Sequence, residues 1–236
     1  MPECDLFAAI VDQFGPPAGA VKATPKEIDR YRDRLPSALL DFWVQHGWGS
    51  WKDGRTWLCD PALLEPIVRA IFEGDAELAP DDITAIAYNA FGEVLFWHRT
   101  RRSITYTAPL GTVTIANPES YADIETGRPT SQAFTIGADI FGPISSSEAP
   151  FVDENGKDLF PRAMRRLGPL APGEIYGFAP ALSMGGAAVI ANVVRAPIRE
   201  HLTMLVAIEP PVLYDYVMTP DSFGRLDPLR PLGKPR

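Results

Sequence analysis

Apolar positions in the first seventy residues recur at helical spacing, and beyond residue 82 they give way to short β-like runs. Leu6, Ala9 and Ile10 predict a helix over residues 5–13, stopped by Phe14-Gly15-Pro16-Pro17. Thr24-Pro25-Lys26-Glu27 is a helix start. The threonine caps, the proline suits the first turn, and a glutamate three residues after the threonine completes a capping box. This helix is predicted to reach residue 34, with Ile28 and Tyr31 on one face. Pro36-Ser37 opens a third helix, whose Leu39, Leu40, Phe42 and Trp43 form a wide apolar face and which Gly47 ends. Asp53-Gly54, between residues 50–52 and 55–58, predicts a tight hairpin. Asp60-Pro61 starts a further helix that Pro66 should bend or split.

From Asp82 the runs ITAIAY, EVLFWHR, SITYTA and TVTIAN are rich in β-branched and aromatic residues and separated by glycine or proline. They predict an antiparallel meander. A short helix is expected over residues 118–125, an extended segment over 134–141, a helix over 157–166 and a strand over 174–178. Residues 187–194 and 198–208 are apolar segments that fit either type. The fold class is therefore α+β: N-terminal helices with a hairpin packed on an antiparallel meander, then a smaller mixed α/β C-terminal region.

Apolar residues make up 46% and charged residues 22% of the 236, close to globular averages, which excludes global disorder and fibrous repeats. Glycine, proline, serine and asparagine interrupt the longest apolar run, near residues 179–194, so no membrane helix is expected. The N-terminal MPECDLF carries acids where a secretory leader would carry bases. Two cysteines without CxxC spacing suit a reducing compartment. Together these predict a cytoplasmic protein. The net charge of −8 disfavours direct binding to nucleic acid and favours basic partners.

Recognisable catalytic chemistry is sparse. His46, His98 and His201 are far apart, and neither HxxxH nor a cysteine pair supports a metal site. There is no GxSxG elbow, and Ser183 before Met184-Gly185-Gly186 has no base near it in sequence. Gly47-Trp48-Gly49 lacks the third glycine and the following helix of a nucleotide-binding loop. No catalytic residue, cofactor or metal is expected.

Two features suit protein binding instead. Four of the five tryptophans, Trp43, Trp48, Trp51 and Trp57, fall within fifteen residues. Trp43 and Trp57 are expected in the core, whereas Trp48 and Trp51, flanking a glycine-rich turn, suit either a packed junction or an exposed anchor. Glu73, Asp75, Glu77, Asp81 and Asp82 lie within ten residues without an intervening base. They are expected to form a loop and, with Asp53 of the hairpin, an acidic docking edge. The last dozen residues are basic and proline-rich and are expected to be a flexible tail.

FGPP, YRDRLPSALLDFW, HGWGSWKDGRTWLCDP and AFGEVLFW resemble the GAD-like domain at the N-terminus of bacterial type VI secretion immunity proteins. GEIYGFAPALSMGG and EHLTMLVAI resemble the C-terminal domain of the same proteins, so the likeness runs in order from about residue 5 to 217. It implies a GAD-like domain over residues 1–120 and an immunity domain over 121–236. It also implies a non-enzymatic protein that neutralises a cognate secreted DNase by blocking its DNA-binding or catalytic cleft. An inhibitor of that kind needs no nucleophile or metal, and an acidic one gains electrostatic association with a phosphate-binding surface. The alternative is a metabolite-binding or regulatory protein with a pocket near Trp48 and Tyr88.

Overall fold

A computed structural model describes residues 5–116, 130–219 and 222–233, with only the backbone described for 216–219 and 222–224. Helix α1 (Leu6–Phe14) precedes the first strand of the main sheet, and α2 (Pro25–Tyr31) and α3 (Ser37–Gln45) lie between that strand and the one it pairs with. Each start follows from its cap. Asp5 accepts from the backbone N–H groups of Phe7 and Ala8, and Thr24 with Glu27 closes a complete capping box. Gly47, at φ +82°, turns the chain out of α3, and a side chain there would sit 2.5 Å from the Val21 carbonyl. Only glycine meets both demands.

The predicted hairpin and meander form one sheet. Strands β1 (Ala18–Val21), β2 (Trp48–Trp51), β3 (Thr56–Leu58), β4 (Ile83–Asn89), β5 (Glu93–His98), β6 (Arg102–Thr107) and β7 (Thr112–Ile115) pair antiparallel in sequence order. Between β3 and β4, Pro66 splits the chain rather than bending a long helix. A 3-10 turn at Pro61–Leu63 comes first, and Pro66 then sits in the opening turn of α4 (Glu65–Phe72).

Both faces of the sheet are covered, and alternation along β5 shows it. Val94 and Phe96 enter one core while Leu95 and Trp97 enter the other. The register between β4 and β5 slips between Ala85 and Ala87, so that Ile86 and Ala87 both face the second core before Tyr88 returns to the first. Helices α1, α2, α3 and α5 (Gln132–Ser145) pack on one face. The other carries α4, α6 (Phe160–Leu167), α7 (Ile198–Ile208) and a two-stranded sheet of β8 (Glu174–Phe178) and β9 (Val193–Pro197).

Two expectations are corrected. Residues 134–141 are not extended but lie within α5, capped by Ser131, whose hydroxyl accepts from the Phe134 N–H. Thr135, Ile136 and Ile140 are the buried helical stripe. The C-terminal stretch is not a flexible tail over its described residues. Strands β10 (Val212–Thr219) and β11 (Ser222–Pro231) pair antiparallel, and β10 adds to β7 in parallel, extending the main sheet to nine strands. Pro228 and Pro231 sit on the terminal strand, an edge position of the kind to which proline is confined in sheets. The short helix expected at 118–125 lies outside the described residues. Of the ambiguous segments, 198–208 is helix α7, and 187–194 passes through a 3-10 turn at Ile190–Asn192 into β9.

Candidate functional site

The acidic run follows α4 and leads through a 3-10 turn at Pro80–Asp82 into β4. Its carboxylates are interleaved with arginines from elsewhere in the chain. Asp81 meets Arg69 at 3.3 Å, Asp82 meets Arg99 at 3.4 Å, and Glu77 meets Arg101 at 3.6 Å and Arg230 at 3.8 Å. Asp75 is the most enclosed. Its carboxylate is gripped by both terminal nitrogens of Arg230 and accepts from the N–H groups of Glu77 and Leu78. Burial alone would raise its pKa, but Arg230 and the two N–H groups outweigh burial and hold it below the usual carboxylate range. Glu73, Glu77 and Asp81 are exposed. The edge is thus a mixed-charge ledge on which Glu73, Glu77 and Asp81 face water beside four guanidiniums, while Asp75 is enclosed.

Asp53 is exposed at the tip of the hairpin, within a strained turn. Lys52, Asp53 and Gly54 have φ of 51°, 58° and 88°, three left-handed residues in succession. Bonds on both sides hold the turn. The Trp57 indole N–H donates to the Gly54 carbonyl at 2.7 Å. The Lys52 ammonium donates to the Ser146 carbonyl. Arg55 donates to the Glu148 carbonyl at 3.0 Å, pairs with Asp158 at 2.9 Å and lies over the Phe160 ring. The hairpin tip is therefore clamped to the segment that follows α5.

Trp48 and Trp51 lie inside, at 8% and 4% exposure, beside Trp43 at 0%. Trp51 donates its indole N–H to the Gly15 carbonyl at 3.0 Å, and Trp48 packs edge-on against Trp43 at 5.5 Å. Neither indole forms an exposed anchor. They are core residues that hold the hairpin to α1 and α3. Trp57 is also buried and stacks on Tyr88 with ring centroids 6.0 Å apart. The Tyr88 hydroxyl accepts from the Gly173 N–H at 2.8 Å. Trp48 and Tyr88 thus belong to different cores.

Sequence reasoning missed two features. The first is a groove of about 430 Å³ between α1 and α3, floored by Phe7, Val11 and Phe42 and rimmed by Asp5, Asp12 and Asp41. Among the described residues neither Asp12 nor Asp41 makes an ion pair. The signal was available, because both fall on the polar sides of helices whose apolar sides were read correctly. The second is a pair of half-buried carboxylates, Glu93 and Asp139. Burial raises the pKa of each, against opposing hydrogen bonds from Thr107 and Ser103 respectively. Asp139 was hidden by the extended reading of its segment.

The histidines stay separate. His98 is buried, and its Nδ1 accepts from the Thr100 and Arg101 N–H groups at 3.2 Å. His46 packs on Phe42, and His201 lies against Gly177. Among the described residues no three His, Cys, Asp or Glu side chains are grouped as metal ligands, and no helix is long and apolar enough to cross a membrane.

Residues 5–110 match the GAD-like domain, and residues 140–209 match the C-terminal domain of the type VI secretion immunity protein Tdi1. No curated protein sequence matches the chain. Among solved structures, it is similar to Atu4351 from Agrobacterium tumefaciens, with a TM-score of 0.80 and 27% identity over 93% of this chain and 97% of that one. The two domain matches cover most of the chain in the order its motifs predict, and the chain belongs to the type VI secretion immunity proteins that join a GAD-like domain to a Tdi1 C-terminal domain.

Proposed function

We propose that this immunity protein acts in the cytoplasm on a cognate DNase effector and blocks its DNA-binding or catalytic cleft. The observation that carries the reading is the Tdi1 immunity domain at residues 140–209. The charge supports a nuclease as the target. A DNase must present cations to DNA phosphate, and this chain carries −8 overall, with Asp12 and Asp41 on the α1–α3 groove making no ion pair among the described residues. The docking edge in this reading is the ledge of Glu73, Asp75, Glu77, Asp81 and Asp82 together with Asp53. Its exposed acids stand where phosphates would stand, while Asp75 keeps the loop in shape. Such complementarity mainly raises the association rate and fixes partner choice.

Co-expression with a candidate DNase effector is the direct test. The protein should restore growth and keep chromosomal DNA intact, and should co-purify with the effector. Survival without any complex, or protection against an effector that leaves DNA whole, overturns the DNase reading.

A further inference from the structure

We infer that the cleft between α5 and strands β3–β6 is a binding site for an aliphatic cation, an alkylammonium or guanidinium head of the kind that ends a lysine or arginine side chain. The cleft holds about 120 Å³. Its polar lining is Thr56, Tyr88, Asn89, Glu93, Thr105 and Asp139, and among the described residues no lysine, arginine or histidine lines it. Leu95, Ile140 and Pro143 supply apolar walls suited to a methylene stem.

The chemistry of the lining is one-sided. Residues 103, 105 and 107 of β6 share a face and set a stripe of three hydroxyls beneath α5. Ser103 donates to Asp139 at one end, and Thr107 donates to Glu93 at 3.3 Å at the other. Among the described residues each carboxylate takes that single hydrogen bond, although an ionised carboxylate has about four lone-pair sites. Pro143 adds a further acceptor. It has no N–H to give the Asp139 carbonyl four residues back, so the helix leaves that oxygen without its usual donor. Asn89 positions rather than binds, because its side-chain oxygen accepts from the Phe91 and Glu93 N–H groups and fixes the start of β5. The Arg102 guanidinium, which acts on Asp139 through its charge, spends its hydrogen bonds on Thr130 and Thr135. Two half-buried carboxylates, of which Asp139 alone feels the charge of Arg102, and a backbone carbonyl that lacks its usual helical donor call for a donor-rich positive group. The cleft also lies where the GAD-like domain meets the segment leading into the immunity domain, and such seams favour ligand sites.

The test titrates butylamine and butylguanidine into the protein, with butanol as the uncharged control, and follows backbone NMR shifts. The inference expects saturable shifts at residues 87–95 and 139–143 with the cations only, and affinity reduced about tenfold or more in Glu93→Gln/Asp139→Asn, the scale of one charge-assisted hydrogen bond. No saturable shift, equal binding of butanol, or unchanged affinity in the double variant overturns it. Should the double variant unfold, Thr105→Leu fills the cleft without touching either acid and must abolish the shifts. Effector affinity of the same variants then assigns the source. A loss supports a basic side chain of the effector as the occupant, and unchanged effector binding supports a free amine. A wild-type protein that binds no effector overturns the proposed function alone, since the amine titration still decides the cleft.

Discussion

Arg230 of the terminal strand reaches back 155 residues to hold Asp75, with Nη2 to Oδ1 at 3.0 Å and Nη1 on the other oxygen. The Asp75 side chain is 2% exposed and that of Arg230 35%. The pair ties β11 to the loop after α4, so the acidic run takes its shape from a base near the other end of the chain.

Arg230→Ala should therefore destabilise the fold by about 1–3 kcal/mol, the cost of stranding an enclosed acceptor. The figure stays below that of a fully buried pair because Arg230 is more than a third open to water. The same tie gives an acid limb. Asp75 has a lowered pKa in the folded state, so its contribution is full above the ordinary value of 3.8 and is lost as pH falls further. Thermal unfolding from pH 6 to pH 3 should show a steeper loss for the wild type than for Arg230→Ala. Parallel curves would contradict this.

Trp43 is fully enclosed, with Tyr31 edge-on at 6.1 Å and Trp48 at 5.5 Å. Trp43→Ala should cost about 3–5 kcal/mol. Trp43→Phe should cost less, because the indole N–H that it removes has no acceptor among the described residues. Denaturant midpoints for the two variants decide the order, and an unchanged midpoint in Trp43→Ala would count against the packing described.

Asp81→Lys/Asp82→Lys turns two acids to bases beside Arg69 and Arg99. If the ledge docks a basic effector, the double reversal slows association and flattens its salt dependence, whereas the dissociation rate changes less. Stopped-flow association at two ionic strengths reads this out. Identical rates and salt slopes would remove the ledge from the interface.

His98 and His201 both have pKa values lowered by burial from the ordinary 6.5. Unfolding lets them take protons more readily, so the stability they contribute is complete above 6.5 and declines as pH falls below it. The unfolding midpoint should begin to drop between pH 6.5 and 5. His201→Gln should remove part of that early drop, and a flat midpoint across the window would refute it.

The N-terminal half was legible because its signals are local. The capping box at Thr24, the turn at Asp53-Gly54 and the four β-rich runs need only neighbours in sequence. What failed depended on distant partners. Residues 134–141 contain Thr135, Ile136 and Ile140, which read as strand formers, yet their helical stripe meets the second core. Residues 222–231 have the composition of a loose tail, and only a neighbouring β10 makes them a strand. The run from Glu73 to Asp82 looked uncompensated because its bases come from positions 69, 99, 101 and 230. The tryptophan pair at 48 and 51 was ambiguous for a related reason, since α1 and α3 cover it from outside the hairpin.

The parallel pairing of Val212, Leu213 and Tyr214 with Thr112, Val113 and Thr114 has a consequence during synthesis. The hydrogen-bonding edge of β7 leaves the ribosome about a hundred residues before the strand that covers it. At translation speeds of about 5–20 residues per second, that edge stays open for roughly 5–20 s. An open strand edge is a template for pairing with another chain. The nascent N-terminal half therefore passes through an aggregation-prone interval, which ends when β10 docks and the last strand closes over it.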